Sequence, residues 1–150
     1  MDQPGLDGHM QQGTGAEAGA AAVGDSDEGT ARRLLAKADR LVPGRAVGAP
    51  PSDFVTQLFA RAAPEDVVRY EAAELADIAA GTWRFLSDRQ PRTPSIRVDA
   101  ALPGPRLKHV SVVELVNDDM PFLVDSVMAE LAEQGLDAHL VVHPLFALVR

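Results

Sequence analysis

The sequence predicts an α+β protein in three parts. Residues 1–29 read as a disordered tail, 30–105 as a small helical subdomain with a short strand and linker, and 106–150 as a truncated βαβ unit. Three observations carry that expectation. Apolar residues recur at helical spacing in successive stretches between Ala31 and Ser87. Aliphatic and β-branched residues cluster at Val112–Val116. An acidic turn, an amphipathic stretch and a glycine then lead into a second alternating run, Leu136–Val142.

Seven of the twelve glycines fall within residues 1–29, among alanine, glutamine and acids, and no large apolar residue recurs there at any period. Such a segment buries too little apolar surface to offset its ordering entropy. Gly13-Thr14-Gly15-Ala16-Glu17-Ala18 formally matches a dinucleotide fingerprint. That mechanism needs a buried strand before the glycines, and Met10-Gln11-Gln12 does not supply one.

Thr30 suits the cap of a helix from Ala31 to Val42, with Leu34, Leu35, Ala38, Leu41 and Val42 on one stripe. Pro43-Gly44 ends it, and residues 47–51 form a linker. Ser52 or Asp53 can cap a second helix, Phe54 to Ala62, whose apolar side carries Phe54, Val55, Leu58, Phe59 and Ala62. Pro64-Glu65-Asp66 opens a further turn with acids where the helix dipole favours them. From Glu71 to Ser87 a longer helix groups Leu75, Ile78, Ala79, Trp83, Phe85 and Leu86 opposite Asp77 and Arg84.

Ile96-Arg97-Val98 alternates like a short strand, and Pro103-Gly104-Pro105 is expected to insulate it from the next run of apolar residues. Val112, Val113, Leu115 and Val116 then predict a largely buried strand. Asn117, Asp118 and Asp119 break it with side chains suited to capping a helix, and Pro121 fits the first helical turn. Leu123, Val124, Val127, Met128 and Leu131 share one stripe, away from Asp125, Ser126, Glu130 and Glu133, so this helix is expected to bury one face. Gly135 stands where a left-handed residue would end it.

Composition narrows the function. A net charge of −8 argues against a nucleic-acid groove. The absence of cysteine excludes disulfides and thiolate metal sites, and fits a reducing cytoplasm. No apolar run approaches the roughly 18 residues of a membrane span, and no signal peptide is indicated.

The candidate site is the turn Asn117, Asp118, Asp119, Met120, Pro121 and Phe122, read as a ligand or interface element. Asp118 and Asp119 are paired carboxylates whose leading role is to cap free N–H groups of the following helix. Phe122 falls among polar residues on the helical wheel, so its ring should meet a neighbouring element or a partner. His139 and His143 lie on a strand-like stretch, about 13 Å apart at 3.3 Å per residue, too far to share one ion. No catalytic, cofactor or metal residue is assigned. Arg84, Arg89, Arg92, Arg97, Arg106 and Lys108 read as a solvated or acid-paired face, with an anion contact as the lesser reading.

The run Asn117-Asp118-Asp119-Met120-Pro121-Phe122-Leu123-Val124-Asp125-Ser126-Val127, with His139-Leu140-Val141-Val142-His143-Pro144, resembles the amino-terminal region of the large bacterial NAD-specific glutamate dehydrogenases. Pro64-Glu65-Asp66 and Trp83-Arg84-Phe85-Leu86 resemble that family's preceding helices, and the resemblance runs from about Asp53 to Arg150. Strand, turn, helix and strand also look like the opening half of an ACT domain, a βαββαβ ferredoxin-like regulatory module. Its loop commonly reads Asp-x-Pro-Gly; here Asp119-Met120-Pro121 matches, with Phe122 in place of glycine.

The resemblance implies a regulatory or assembly segment of a cytoplasmic enzyme that oxidatively deaminates L-glutamate to 2-oxoglutarate and reduces NAD. NAD would be held by the full-length protein, with no cofactor on this segment. Its partners would be the rest of the dehydrogenase chain, further copies in a homo-oligomer and an amino-acid effector, with neither nucleic acid nor membrane. The alternatives are a free-standing ACT-like sensor or interaction module and, third, a small enzyme using Asp118 and Asp119. In the ferredoxin-like order, the strands near Val112 and Leu140 would lack the strand that lies between them.

Overall fold

The computed structural model describes residues 17–42, 48–99 and 109–147. The elements run α1 (Glu17–Leu41), α2 (Phe54–Leu58), α3 (Pro64–Val67), α4 (Ala72–Asp88), β1 (Ser95–Asp99), β2 (Val112–Val116) and α5 (Leu123–Glu133). The α+β class stands.

Helix α1 begins well before the expected cap at Thr30. Ala18, Ala20, Ala21 and Ala22 lie in that added length, and alanine is the residue that costs a helix least. The tail expectation for residues 1–16 lies outside the described residues. The core forms where α1 meets the other helices: Ala31, Leu35 and Ala38 pack with Phe54, Val55, Leu58 and Phe59, with Val67 and Tyr70, and with Leu75, Ala76, Ala79 and Leu86 of α4. Phe54 is wedged between Trp83 (edge-on, ring centroids 5.0 Å apart) and Phe146 (stacked, 5.3 Å).

Capping explains how short helices survive here. Helix α2 is only five residues long, and Asp53 at its start makes no side-chain cap, contrary to expectation. Asp39 of α1 does so from a distance, accepting the N–H groups of Val55 (2.8 Å) and Thr56 (3.3 Å) and the Thr56 hydroxyl (2.5 Å). This carboxylate joins two helices by satisfying donors that the second cannot satisfy itself. Pro64 occupies the first turn of α3 with Glu65 and Asp66 beside it. Glu71 and Glu74 form a reciprocal capping box on α4.

The two strands correct the insulated-strand expectation. β1 pairs with β2 in an antiparallel ladder, Ser95 opposite Val116 and Asp99 opposite Val112. The connection through Pro103-Gly104-Pro105 lies outside the described residues. Leu136–Val142 is a second correction, because among the described residues it joins no ladder. Its alternation is nevertheless real: Leu140, Val142 and Phe146 pack toward the helical core, whereas Val141, His143 and Leu145 face outward. Among the described residues the segment has a strand's side-chain period without a ladder partner, and its inward side chains dock on the helical core.

Helix α5 ends as its sequence predicts. Gly135 has φ 68°, the Leu136 N–H donates to Leu131 O (2.9 Å) and the Gly135 N–H to Ala132 O (3.0 Å). That pair of bonds is a Schellman motif, whose left-handed residue glycine adopts without steric cost. No helix among the described residues is long and apolar enough to cross a membrane.

Candidate functional site

The six-residue turn between β2 and α5 is built from both sides. Asn117 is half-buried, and its amide donates to the Met120 sulfur at 3.0 Å, closing the turn on itself. Asp118 accepts from Arg89 Nη2 at 2.5 Å. Arg89 is the residue that ends α4; its side chain is 10% exposed, and its Nε donates to Thr93 O. The Asp118 side chain is 64% exposed, so water screens the pair and it positions the turn more than it stabilises the fold.

The capping role expected for Asp118 and Asp119 is therefore overturned. Helix α5 starts at Leu123, its cap residue is Phe122, and no side chain caps it. Asp119 and Pro121 are exposed. Asp118 instead pairs with a cation twenty-nine residues earlier, a partner no local pattern reveals.

Phe122 has φ 62° and ψ 7°, the left-handed region that costs a bulky L residue steric strain. Its carbonyl accepts the Ser126 N–H at 2.9 Å, the first bond of α5. The chain thus keeps, with a phenylalanine, the backbone turn that glycine makes freely. The ring is 75% exposed, and Met120 is 50% exposed beside it in sequence. The polar-face placement read from the wheel agrees with this outward ring.

The stripe Leu123, Val124, Val127, Met128 and Leu131 is the less exposed side of α5, yet none of it is buried. The expected face is present, and no other described helix or strand packs extensively against it.

A second polar cluster joins the sheet to α4. Glu114 accepts from Arg97 through Nε (2.8 Å) and Nη2 and from the Thr82 hydroxyl (2.6 Å). Arg97 also meets Asp99 at 3.1 Å and lies 4.8 Å over the Phe85 ring. Arg97 and Glu114 are direct cross-strand partners, a relation visible only once the register is known. The acid-paired reading thus describes Arg89 and Arg97; Arg84 and Arg92 are exposed, while Arg106 and Lys108 lie outside the described residues.

At the other end of α4 a shallow groove of about 390 Å³ opens against α1. Leu34, Leu41, Val68 and Tyr70 form its apolar side, with Lys37, Glu71, Ala72 and Ala73 along it. Burial pushes the Tyr70 phenol above its ordinary pKa, Asp66 and Glu74 add to the rise, and Arg69 opposes it. His139 and His143 are exposed, and among the described residues no three His, Asp or Glu side chains converge on a metal position.

A helical base carrying a strand, an acidic turn, a helix and an extended segment defines an α+β, ACT-like protein. The chain belongs to the glutamate dehydrogenase ACT1 domain family, whose model matches residues 54–150. It is 31% identical over 102 residues to the NAD-specific glutamate dehydrogenase of Halomonas elongata, covering 65% of this chain and 6% of that protein. It is 30% identical over 89 residues to the NAD-specific glutamate dehydrogenase of Pseudomonas aeruginosa, covering 57% of this chain and 5% of that protein. No solved structure matches. The resemblance read from the Asn117–Val127 run is borne out, and the chain spans a small fraction of the curated relatives it matches.

Proposed function

We propose that this chain serves a cytoplasmic NAD-dependent glutamate dehydrogenase as a regulatory and assembly segment, outside the chemical step. The observation that supports this most is one of proportion. The family match takes in residues 54–150, yet the aligned stretch makes up 6% of a relative named for the whole activity. Oxidative deamination of L-glutamate needs a nicotinamide held against the substrate by a dinucleotide fold. The residues at the candidate turn are suited to docking: an exposed aromatic, an exposed thioether and an acid tethered to α4.

Within that role, the turn is an interface in preference to an amino-acid pocket. A ligand that approaches a glycine backbone closely meets a phenylalanine side chain at Phe122. The test compares NADH formation from L-glutamate by residues 1–150 and by a full-length protein containing them. Turnover is expected of the full-length protein alone, and turnover by the short chain would sink the assignment. Calorimetric titration of residues 1–150 with a panel of free amino acids is expected to give no heat of binding. Saturable binding by the unaltered chain would return the effector reading to the lead.

A further inference from the structure

The chain has no cysteine, so an oxidant that meets it finds its softest nucleophile at a methionine sulfur. Of the four methionines, Met120 and Met128 lie among the described residues. Met128 is half-exposed on the stripe of α5, and among the described residues no donor reaches its sulfur. Met120 is different. It is 50% exposed, it stands just before Pro121 and the outward Phe122 ring, and its sulfur accepts the Asn117 amide at 3.0 Å. We propose that Met120 is a reversible oxidation site, which switches the face of the Asn117–Phe122 turn from apolar to polar and leaves the fold intact. As a form of regulation this rests on the reading of the turn as an interface.

A thioether sulfur carries two lone pairs, each a weak hydrogen-bond acceptor on its own face of the sulfur. At Met120 one of them receives the Asn117 N–H. The other is free to attack hydrogen peroxide: an S–O bond forms and the O–O bond breaks. The proton on the transferred oxygen passes to the departing hydroxide, which leaves as water, so sulfur gives two electrons and the peroxide takes them. One face is engaged and the other open, so one sulfoxide epimer forms in excess. Its oxygen points away from Asn117, the remaining lone pair still accepts the amide, and Asp118 keeps its tie to Arg89. The change is at the surface, where a polar, chiral group replaces an apolar thioether near Phe122. A partner seated there would have to strip water from that group. Reduction restores the thioether: methionine sulfoxide reductases, one for each epimer, take two electrons from thiols and release the oxygen as water.

The test treats the chain with hydrogen peroxide at neutral pH, follows each methionine by peptide mass spectrometry, and counts the Met120 epimers with the two reductases. One epimer should exceed the other about threefold or more, the discrimination that a single weak hydrogen bond supplies. Asn117→Asp keeps the side chain's shape and removes its donor, so the ratio should fall close to one. Surface and stability are then read in a Met128→Leu background, a swap of similar volume that removes the other described sulfur. There the oxidised chain should elute earlier in hydrophobic-interaction chromatography, at an unchanged melting temperature, and reductase should restore its retention. Adding Met120→Leu should abolish most of that shift, since leucine keeps the face apolar. Equal epimers in the parent, a ratio indifferent to Asn117→Asp, a fall in melting temperature on oxidation, or an undiminished shift with Met120→Leu would each overturn the proposal. None of these readouts involves NADH formation or a partner, so failure here and failure of the regulatory assignment are told apart.

Discussion

The helical subdomain and the strand–turn–helix region after it are built from similar amphipathic patterns, yet only one of them closes a core. Every buried residue among the described ones lies between Ala31 and Leu86, and none lies between Ser95 and Ala147. Helix α4 offers its apolar stripe to α1 and α2 and loses Leu75 and Ala79 completely from solvent. Helix α5 has an equally clear stripe, and its five apolar residues stay half-exposed. The difference lies in the surfaces opposite the stripe. A pattern states which face wants to be buried; a partner decides whether it is.

The largest expected effect tests that contrast directly. Leu75→Ala removes a fully buried side chain from a packed interior and should cost about 3 kcal/mol or more of stability in urea unfolding. Leu131→Ala, the same chemistry in α5, starts half-exposed and should cost about 1 kcal/mol or less, since the transfer term shrinks with the area already wet. Equal losses at the two positions would erase the distinction between the regions.

The link between the regions is the next point of attack. Glu114 is the acid on which Thr82 and Arg97 converge, with its side chain 11% exposed and that of Arg97 30% exposed. Glu114→Ala leaves a half-buried guanidinium with Asp99 as its remaining acidic partner and should cost about 2 kcal/mol. Hydrogen exchange should quicken in β1 and β2 while α1 and α4 keep their protection. Unchanged exchange in the strands would mean that the ladder holds without its polar anchor on α4.

Legibility in the sequence divides in the same way, between local and distant causes. The stripe of α4, the acids at the start of α3, the strand at Val112–Val116 and the Gly135 stop depend on residues a few positions apart, and the structure has them, although the strand expected to be largely buried contains no buried residue. The departures come from longer reach. Asp39 caps α2 from another helix, and Arg89 takes the Asp118 carboxylate that local pattern assigns to the cap of α5. Pairing of β1 with β2 crosses a Pro-Gly-Pro connection that reads locally as a break. Leu140–Phe146 has the side-chain alternation of a strand, but alternation cannot state whether a ladder partner exists. At the candidate turn the odd placement of Phe122 is visible on the helical wheel; its left-handed backbone is not, because phenylalanine rarely adopts it.

The smallest expected effect appears only in alkali, and it belongs to the closed core. Tyr70 is the single tyrosine of the chain and is 8% exposed. Burial raises its phenol above the ordinary value of 10.0, because the tyrosinate would lose its hydration, and the Asp66 and Glu74 charges add repulsion that Arg69 partly offsets. A raised folded-state pKa means that the unfolded chain releases this proton first as pH climbs. The contribution of Tyr70 is therefore fully present below pH 10.0 and is lost as pH rises from there through the folded-state pKa. Tyr70→Phe keeps the ring and deletes the titration, so its unfolding free energy should decline less steeply than the parent's above pH 10.0. The rise in tyrosinate absorbance reports a single titrating phenol, and it should appear at higher pH in the native chain than in urea. Coincident titration curves in the two states would show that Tyr70 is as hydrated in the folded chain as in the unfolded one, and that the core opens at the groove.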